Sequence, residues 1–466
     1  ATVHFPIWHQ EIEDILVLKN NKGTEDNRVR KLDYSIQLSK LFYERFIRNE
    51  DITLFSPHDV PGLYDAFGTD RFDDLYTSYE KDPRCPGRTI NAQELILNLL
   101  KERAETGRIY IMNIDHCNSH SSFKDKVNMS NLCQEITLPT DPIQHIDDDA
   151  GEIALCILSA INVGKINRIE EMDELCELSV RGLEELIDYQ EYPVAAARRS
   201  TLARRSLGIG YIGLAHYLAK NGLKYDNPDA HKLVHKLTER FQYALLVASN
   251  QIAKEKGACA GFAGTKYSDG ILPIDTYKKE VDEIVVPEYQ CDWETLRKSI
   301  LEYGLRHSTL SAQMPSESSS VVSNATNGIE PPRDYLSVKK SKKGPLKQIV
   351  PGYPHLKSKY TLLWDMPSNE GYIKVTAVMQ KFFDQAISGN WSYNPENYQN
   401  DEVPVSVMAN DLLTTYKYGW KTSYYQNTYD AKKEPEIPET ANAERLNQLL
   451  NEIENATEED CDGCKV

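Results

Sequence analysis

No apolar run in this sequence approaches the roughly 18 residues that a membrane-spanning helix needs, so no segment is expected to cross a bilayer. Positive charge is in deficit: 53 Lys and Arg stand against 70 Asp and Glu, a formal charge of −17 at pH 7. That balance argues against a general nucleic-acid-coating role and for solubility. There is no internal repeat, and glycine (24) and proline (22) are too sparse for a collagenous or low-complexity chain. The first thirty residues are studded with Glu, Asp, Lys and Arg, so no export signal is expected among them. A cytoplasmic protein with reduced thiols is the expectation, which leaves its nine cysteines available for chemistry. At about 150 residues per domain, 466 residues allow about three domains or one large α/β barrel. The chain opens on Ala1 and runs at once into Phe5-Pro6-Ile7-Trp8, as though entering a domain already under way.

Apolar residues recur at three and four over residues 93–103, 170–188 and 232–255, which predicts helices there. Short β-type runs lie between them at 51–55, 108–114 and 152–158, the alternation of an α/β layer or barrel. Residues 335–338 and 346–350 read as two strands around the turn Lys339-Lys340-Ser341-Lys342-Lys343-Gly344, followed by two helical stretches to about 400: a small α/β insertion. Four lysines at a hairpin tip in so acidic a chain are best read as a solvated turn. Residues 431–466 hold ten acidic residues against four basic ones and no aromatic residue, so a flexible acidic tail is expected.

That tail ends Cys461-Asp462-Gly463-Cys464, and a dithiol on a mobile terminus can carry reducing equivalents between a buried site and an external partner. A metal site would need a second ligand pair, and no Cys or His lies in the preceding hundred residues. In Ser130-Asn131-Leu132-Cys133-Gln134-Glu135-Ile136, an extended backbone would put Asn131, Cys133 and Glu135 on one face. An amide, a thiol and a carboxylate in a row could supply a hydrogen-bond donor, a redox or radical atom and a general base. The same pattern equally describes a half-buried strand with a packed cysteine. Cys156, in an apolar run, reads by itself as core.

Met314-Pro315-Ser316-Glu317-Ser318-Ser319-Ser320 offers hydroxyl and backbone N–H donors to a phosphate, or is simply a Ser-rich loop. Gly208-Ile209-Gly210-Tyr211-Ile212-Gly213 fits the dinucleotide fingerprint, but Arg198 to Ser206 before it is no buried strand, so the fingerprint is rejected. Asp115-His116-Cys117-Asn118-Ser119-His120 has no Cys-x-x-Cys companion and is expected to be a structural turn. Tyr424-Tyr425 would be unremarkable among 27 tyrosines, unless two adjacent phenols near a thiol relay an electron and a proton.

Taken in order, residues 130–136, 151–156, 314–333, 424–427 and the Cys-ending tail resemble the large (α) subunit of class I aerobic ribonucleoside-diphosphate reductases, of the bacterial and phage class Ia type. Residues 51–57 and 60–67 match as well, so the resemblance covers essentially the whole chain. It implies the C-terminal part of a ten-stranded α/β barrel of two five-stranded halves, with a cysteine loop through its centre. On this reading residues 1–334 are barrel with the active-site loop, 335–400 the small α/β insertion, 401–430 the barrel end with the tyrosine pair, and 431–466 the redox tail.

The resemblance also implies roles. Cys133 would carry the thiyl radical, Glu135 would deprotonate the ribose 3′-hydroxyl, and Asn131 would hydrogen-bond the sugar. Cys156 would be one of two cysteines that close a disulfide. Glu317, Ser318 and Ser319 would bind the diphosphate, and Tyr424 and Tyr425 would end a radical path from a small, metal-containing β subunit. Cys461 and Cys464 would re-reduce the site and be reduced in turn by thioredoxin or glutaredoxin. The implied substrate is a ribonucleoside diphosphate. No metal or other cofactor held by this chain, no membrane and no direct nucleic-acid contact is implied. The second half of the active-site disulfide has no match here, since only Cys85 and Cys117 precede Cys133 and neither stands in a matching context. The family's N-terminal helical region, nucleotide-specificity site and first barrel strands also have no counterpart. The chain therefore resembles roughly the C-terminal three-fifths of a large subunit, expected to need an N-terminal partner polypeptide for activity. Two rival classes, a dithiol redox protein acting through Cys461 and Cys464 and a non-catalytic partner, leave the Asn131-Cys133-Glu135 row unexplained. A cobalamin-dependent reductase would share the row but lack the tyrosine pair.

Overall fold

Three parallel strands and one antiparallel strand make the largest sheet in the computed structural model, which describes residues 1–430 apart from 21, 23–27, 30, 149, 342 and 343. Strands β1 (Thr2–Pro6), β2 (Asp33–Leu38), β3 (Asp51–Phe55), β4 (Gly87–Asn91) and β5 (Ile109–Asn113) come first in the chain. They are followed by β6 (Ile157–Asn162), β7 (Leu207–Ile212), β8 (Leu336–Ser341), β9 (Gly344–Ile349), β10 (Trp391–Tyr393), β11 (Thr422–Ser423) and β12 (Gln426–Thr428). The four-stranded sheet runs β1-β2-β5-β11. β1, β2 and β5 are parallel, with Ile36 opposite Ile111, while β11 lies antiparallel to β5 with Ser423 opposite Ile111. Every residue of β5 is buried, as expected of a parallel strand covered on both faces.

The helix Ala92–Thr106 feeds β5 and shows how local chemistry sets an element. The Asn91 side chain caps its first turn by accepting from the Gln93 and Glu94 N–H groups, and Gly107 ends it at φ 69°. Its face of Leu95, Ile96, Leu99 and Leu100 is buried in the core. The other two predicted helices form as Glu171–Tyr189 and Pro228–Lys256, the latter capped by Asn227 with Pro228 in its first turn.

A second parallel array meets the first where the Thr422 hydroxyl of β11 donates to the Ile387 carbonyl at 3.0 Å. β6 pairs with β7, Ile209 bridges in parallel to Ser311, and Gln313 bridges to Ile387. Gly208 and Gly210 of the rejected fingerprint sit inside β7, where they allow close packing, and Gly213 follows the strand at φ 79° and starts the helix Leu214–Lys220. A Cβ on Gly208 would fall 2.8 Å from the Cys156 sulfur, and one on Gly210 would fall 2.7 Å from the Ala312 carbonyl.

The fold is thus mixed α/β. Among the described residues the strands make one four-stranded and four two-stranded sheets, and no sheet closes on itself, so a continuous ten-stranded barrel is not seen in the pairing. The hairpin β8–β9 forms as predicted, with Lys342 and Lys343 outside the described residues. After it comes one α-helix, Glu370–Gln380, with short 3₁₀ turns in place of a second. The predicted strand at 152–158 begins only at Ile157, and the predicted turn after β5 is the short helix Ile114–Ser119. Among the described residues no helix is long and apolar enough to cross a membrane.

Candidate functional site

The segment carrying Asn131, Cys133 and Glu135 is a loop, not the extended strand that would align three side chains on one face. Gln134 has φ 74°, which turns the chain between the thiol and the carboxylate. The Asn131 side-chain carbonyl accepts from the Ile136 N–H at 3.1 Å and closes the turn from within.

Both arrays hydrogen-bond to this loop. From the first, the Ser35 hydroxyl donates to the Gln134 side chain at 3.0 Å and Thr422 donates to the Gln134 carbonyl at 2.9 Å. From the second, the Ala386 N–H donates to the Glu135 carbonyl at 3.0 Å. The Ser388 hydroxyl donates to the Cys133 carbonyl at 2.6 Å and reaches a Glu135 carboxylate oxygen at 3.2 Å. Bonds from both arrays leave the loop little freedom to shift.

Glu135 is 2% exposed, and burial pushes its carboxyl above the ordinary range against hydrogen bonds from its own N–H, Asn131 and Ser388. Such a group is poised to take a proton. Burial likewise raises the Cys133 thiol and, more strongly, the Cys156 thiol, which receives a 3.5 Å hydrogen bond from the Gln385 amide. Protonated thiols are held in both places.

Tyr424 meets Cys133 directly: its hydroxyl donates to the sulfur at 3.4 Å. Its ring lies 3.9 Å, centroid to centroid, from that of Tyr425 and 4.8 Å from that of Tyr110. Arg103 secures the pair. It is fully buried and donates to the carbonyls of Ile109, Tyr424 (2.8 Å) and Tyr425 (3.2 Å), with its guanidinium 4.7 Å over the Trp391 ring. Burial brings its pKa down to about 10.

A cavity of about 670 Å³ opens beside these groups. Tyr424, Tyr425, Ser388, Asn390, Glu330, Arg333, Glu317 and Ser320 line it. Glu317 starts the short helix Glu317–Val322, while Ser318 and Ser319 lie exposed beside the cavity. Cys461 and Cys464 lie outside the described residues. Among the described residues no three His, Cys, Asp or Glu side chains converge in a way that could hold a metal ion.

A model of the family described as "Ribonucleotide reductase, barrel domain" matches residues 1–426. The chain belongs to the ribonucleotide reductase family. It is 58% identical over 439 residues to the ribonucleoside-diphosphate reductase subunit alpha of Haemophilus influenzae, covering 93% of this chain and 58% of that protein. Identity to the Escherichia coli ribonucleoside-diphosphate reductase 1 subunit alpha is 55% over 439 residues, with the same coverage. To the subunit alpha of Enterobacteria phage T4 it is 43% over 476 residues, covering all of this chain and 60% of that protein. The chain thus spans about three-fifths of the length of these curated relatives.

Sequence reasoning missed several residues that surround this loop: Arg103, Tyr110, Gln385, Ser388, Lys421 and Thr422. A faint signal existed, since Asp384-Gln385 interrupts the apolar run Phe382-Phe383…Ala386-Ile387, and a polar pair in such a run is either exposed or tightly hydrogen-bonded. Here it is hydrogen-bonded. Asp384 accepts from the Leu310 and Ser311 N–H groups and from the Tyr267 hydroxyl. The buried Lys421 ammonium donates to the Asp384 and Gln385 carbonyls at 2.9 and 2.8 Å. Burial brings the Lys421 pKa down to about 7.

Proposed function

We propose that this chain is the catalytic, C-terminal part of the α subunit of a class Ia ribonucleoside-diphosphate reductase. It would convert ribonucleoside diphosphates to their 2′-deoxy forms in the cytoplasm. The observation that carries the reading is the Tyr424 hydroxyl on the Cys133 sulfur, with the Tyr425 ring in tilted contact behind it and a large cavity alongside. Two phenols in contact, ending on a thiol, suit stepwise transfer of a hydrogen atom equivalent to that sulfur.

In the proposed reaction the Cys133 thiyl takes the 3′-hydrogen and becomes a thiol. Glu135, kept protonatable by burial, takes the 3′-hydroxyl proton, with Asn131 holding the sugar. The 2′-hydroxyl leaves as water. Cys156 and a cysteine on a companion N-terminal polypeptide each give one electron and one proton, and their sulfurs close a disulfide. Cys133 then returns its hydrogen to C3′ and regains the radical, and Glu135 returns its proton to the 3′-oxygen. The overall change is one diphosphate plus two thiols to one deoxy-diphosphate, one disulfide and one water.

Glu317, Ser318 and Ser319 would bind the diphosphate. The radical would come from a metal-containing β subunit, so this chain binds no cofactor of its own. Cys461 and Cys464 would reopen the disulfide and be reduced by thioredoxin or glutaredoxin. Strands from the companion polypeptide would complete a ten-stranded barrel whose two halves are the arrays that grip the loop. A buried loop between two arrays suits radical chemistry because it excludes water and stray hydrogen donors.

Reconstitution tests this. The chain, the β subunit and a polypeptide carrying the N-terminal part are expected to reduce CDP together, whereas the chain with the β subunit alone is not. No turnover in the full mixture, with every component folded and the β radical intact, refutes the assignment.

A further inference from the structure

We propose that Gln385 is the positioning residue that sets the Cys156 sulfur against the loop at 130–137; this rests on the reading of Cys156 as a redox cysteine. Gln385 is fully buried, and its carboxamide joins three segments that carry the site. The side-chain carbonyl accepts from the Thr137 N–H at 3.2 Å, at the foot of the Cys133 loop. The amide nitrogen donates to the Leu207 carbonyl at 3.0 Å, on β7, and to the Cys156 sulfur at 3.5 Å.

Those partners remove the ambiguity of which end of the amide faces the thiol. Flipping it would set NH₂ against the Thr137 N–H and oxygen against the Leu207 carbonyl, two repulsive contacts in place of two hydrogen bonds. An N–H group therefore faces Cys156. The backbone of Gln385 is clamped as well. Its N–H donates to the Ser311 carbonyl at 3.1 Å, and its carbonyl accepts from Lys421 and from Gln380, each at 2.8 Å. On the far side, Gly208 leaves room for the sulfur that a Cβ would take.

The sulfur thus lies between a fixed donor and a glycine. An N–H aimed at sulfur favours the electron-rich thiolate over the thiol. It counters burial and the carboxylates of Glu135 and Asp384, the charged groups that act on Cys156 and hold its thiol protonated.

Two substitutions test the proposal in the 466-residue chain. Gln385→Glu keeps the acceptor for Thr137 and turns the donor into an acceptor; Gln385→Met keeps the volume and removes the polar atoms. Carboxamidomethylation of Cys156 is followed by peptide mass spectrometry across pH, with half-buried Cys85 as the internal reference. Expected is a Cys156 rate about tenfold lower at a given pH, its profile displaced to higher pH, with Cys85 unchanged. An unaltered Cys156 profile in a folded variant overturns the proposal.

Should neither variant fold, the side-chain amide resonances of glutamine-¹⁵N-labelled chain are compared with those of Cys156→Ala. A shift of the Gln385 amide supports the contact, and no shift overturns it. Neither measurement uses nucleotide or partner, so each is independent of whether reconstituted turnover succeeds. In reconstituted enzyme Gln385→Glu is expected to lower kcat while KM for CDP stays unchanged.

Discussion

The Tyr424 hydroxyl donates to the Cys133 sulfur across 3.4 Å, joining two segments 291 residues apart in the chain. Neither side chain reaches the other by local geometry. β11 places Tyr424 by pairing with β5, and the loop places Cys133 by hanging between the two arrays.

Tyr424→Phe removes only that hydroxyl. Reconstituted CDP reduction is expected to fall to background, while the thermal midpoint changes by no more than the net worth of one hydrogen bond, about 1 kcal/mol. Wild-type turnover in the variant would remove Tyr424 from the radical path.

Glu135→Gln separates activity from stability. Burial raises the folded-state pKa of Glu135 above its ordinary value of 4.5. Its contribution to stability is therefore complete below that value and is lost as pH rises through the folded-state value. The variant has no such loss, so its stability relative to wild type should grow from about pH 4.5 toward neutrality. Denaturant titrations at both ends of that window check the sign, and turnover is expected to drop by about 10²- to 10⁴-fold.

Arg103→Met leaves the carbonyls of Ile109, Tyr424 and Tyr425 without their buried donor. The Tyr425 carbonyl keeps the Trp391 N–H at 2.9 Å, but the lost buried donor still makes this a loss on the order of 3 kcal/mol, readable as a lower urea midpoint at unchanged slope. A variant as stable as wild type would mean that these carbonyls find other donors.

Gly208→Ala places a methyl 2.6 Å from a Leu158 methyl and 2.8 Å from the Cys156 sulfur. Overpacking of this kind costs about 1–3 kcal/mol. A calorimetric scan should show the loss, and Cys156 alkylation should change rate in the same variant.

Helices at 93–103, 170–188 and 232–255 were legible because each carries its own period and, in two cases, its own Asn cap. The strand at 152–158 was misplaced because an apolar run does not say where pairing begins, and β7 opposes only Ile157 to Asn162. The loop at 130–136 was legible as a list of residues but not as a shape. Period-two reasoning assumed a strand, whereas Gln134 adopts a positive φ that its contacts with Ser35 and Thr422 maintain. Arg103, Gln385 and Ser388 were invisible because each acts mainly on backbone atoms far away in sequence, and such partners leave no motif.

By itself the sequence determined which side chains are present: a thiol flanked by an amide and a carboxylate, a tyrosine pair, a further cysteine in an apolar run and a terminal dithiol, in the order that marks the family. Those are properties of side chains and short spacings, and they survive without a fold. Only the tertiary structure decided which of them meet. Tyr424 touches Cys133, Gln385 holds Cys156, and Ser388 ties the loop to the second array, because long-range strand pairing and burial set these distances. Burial also decided the protonation preferences of Glu135 and both thiols, since the cost of removing a charge from water depends on what surrounds it.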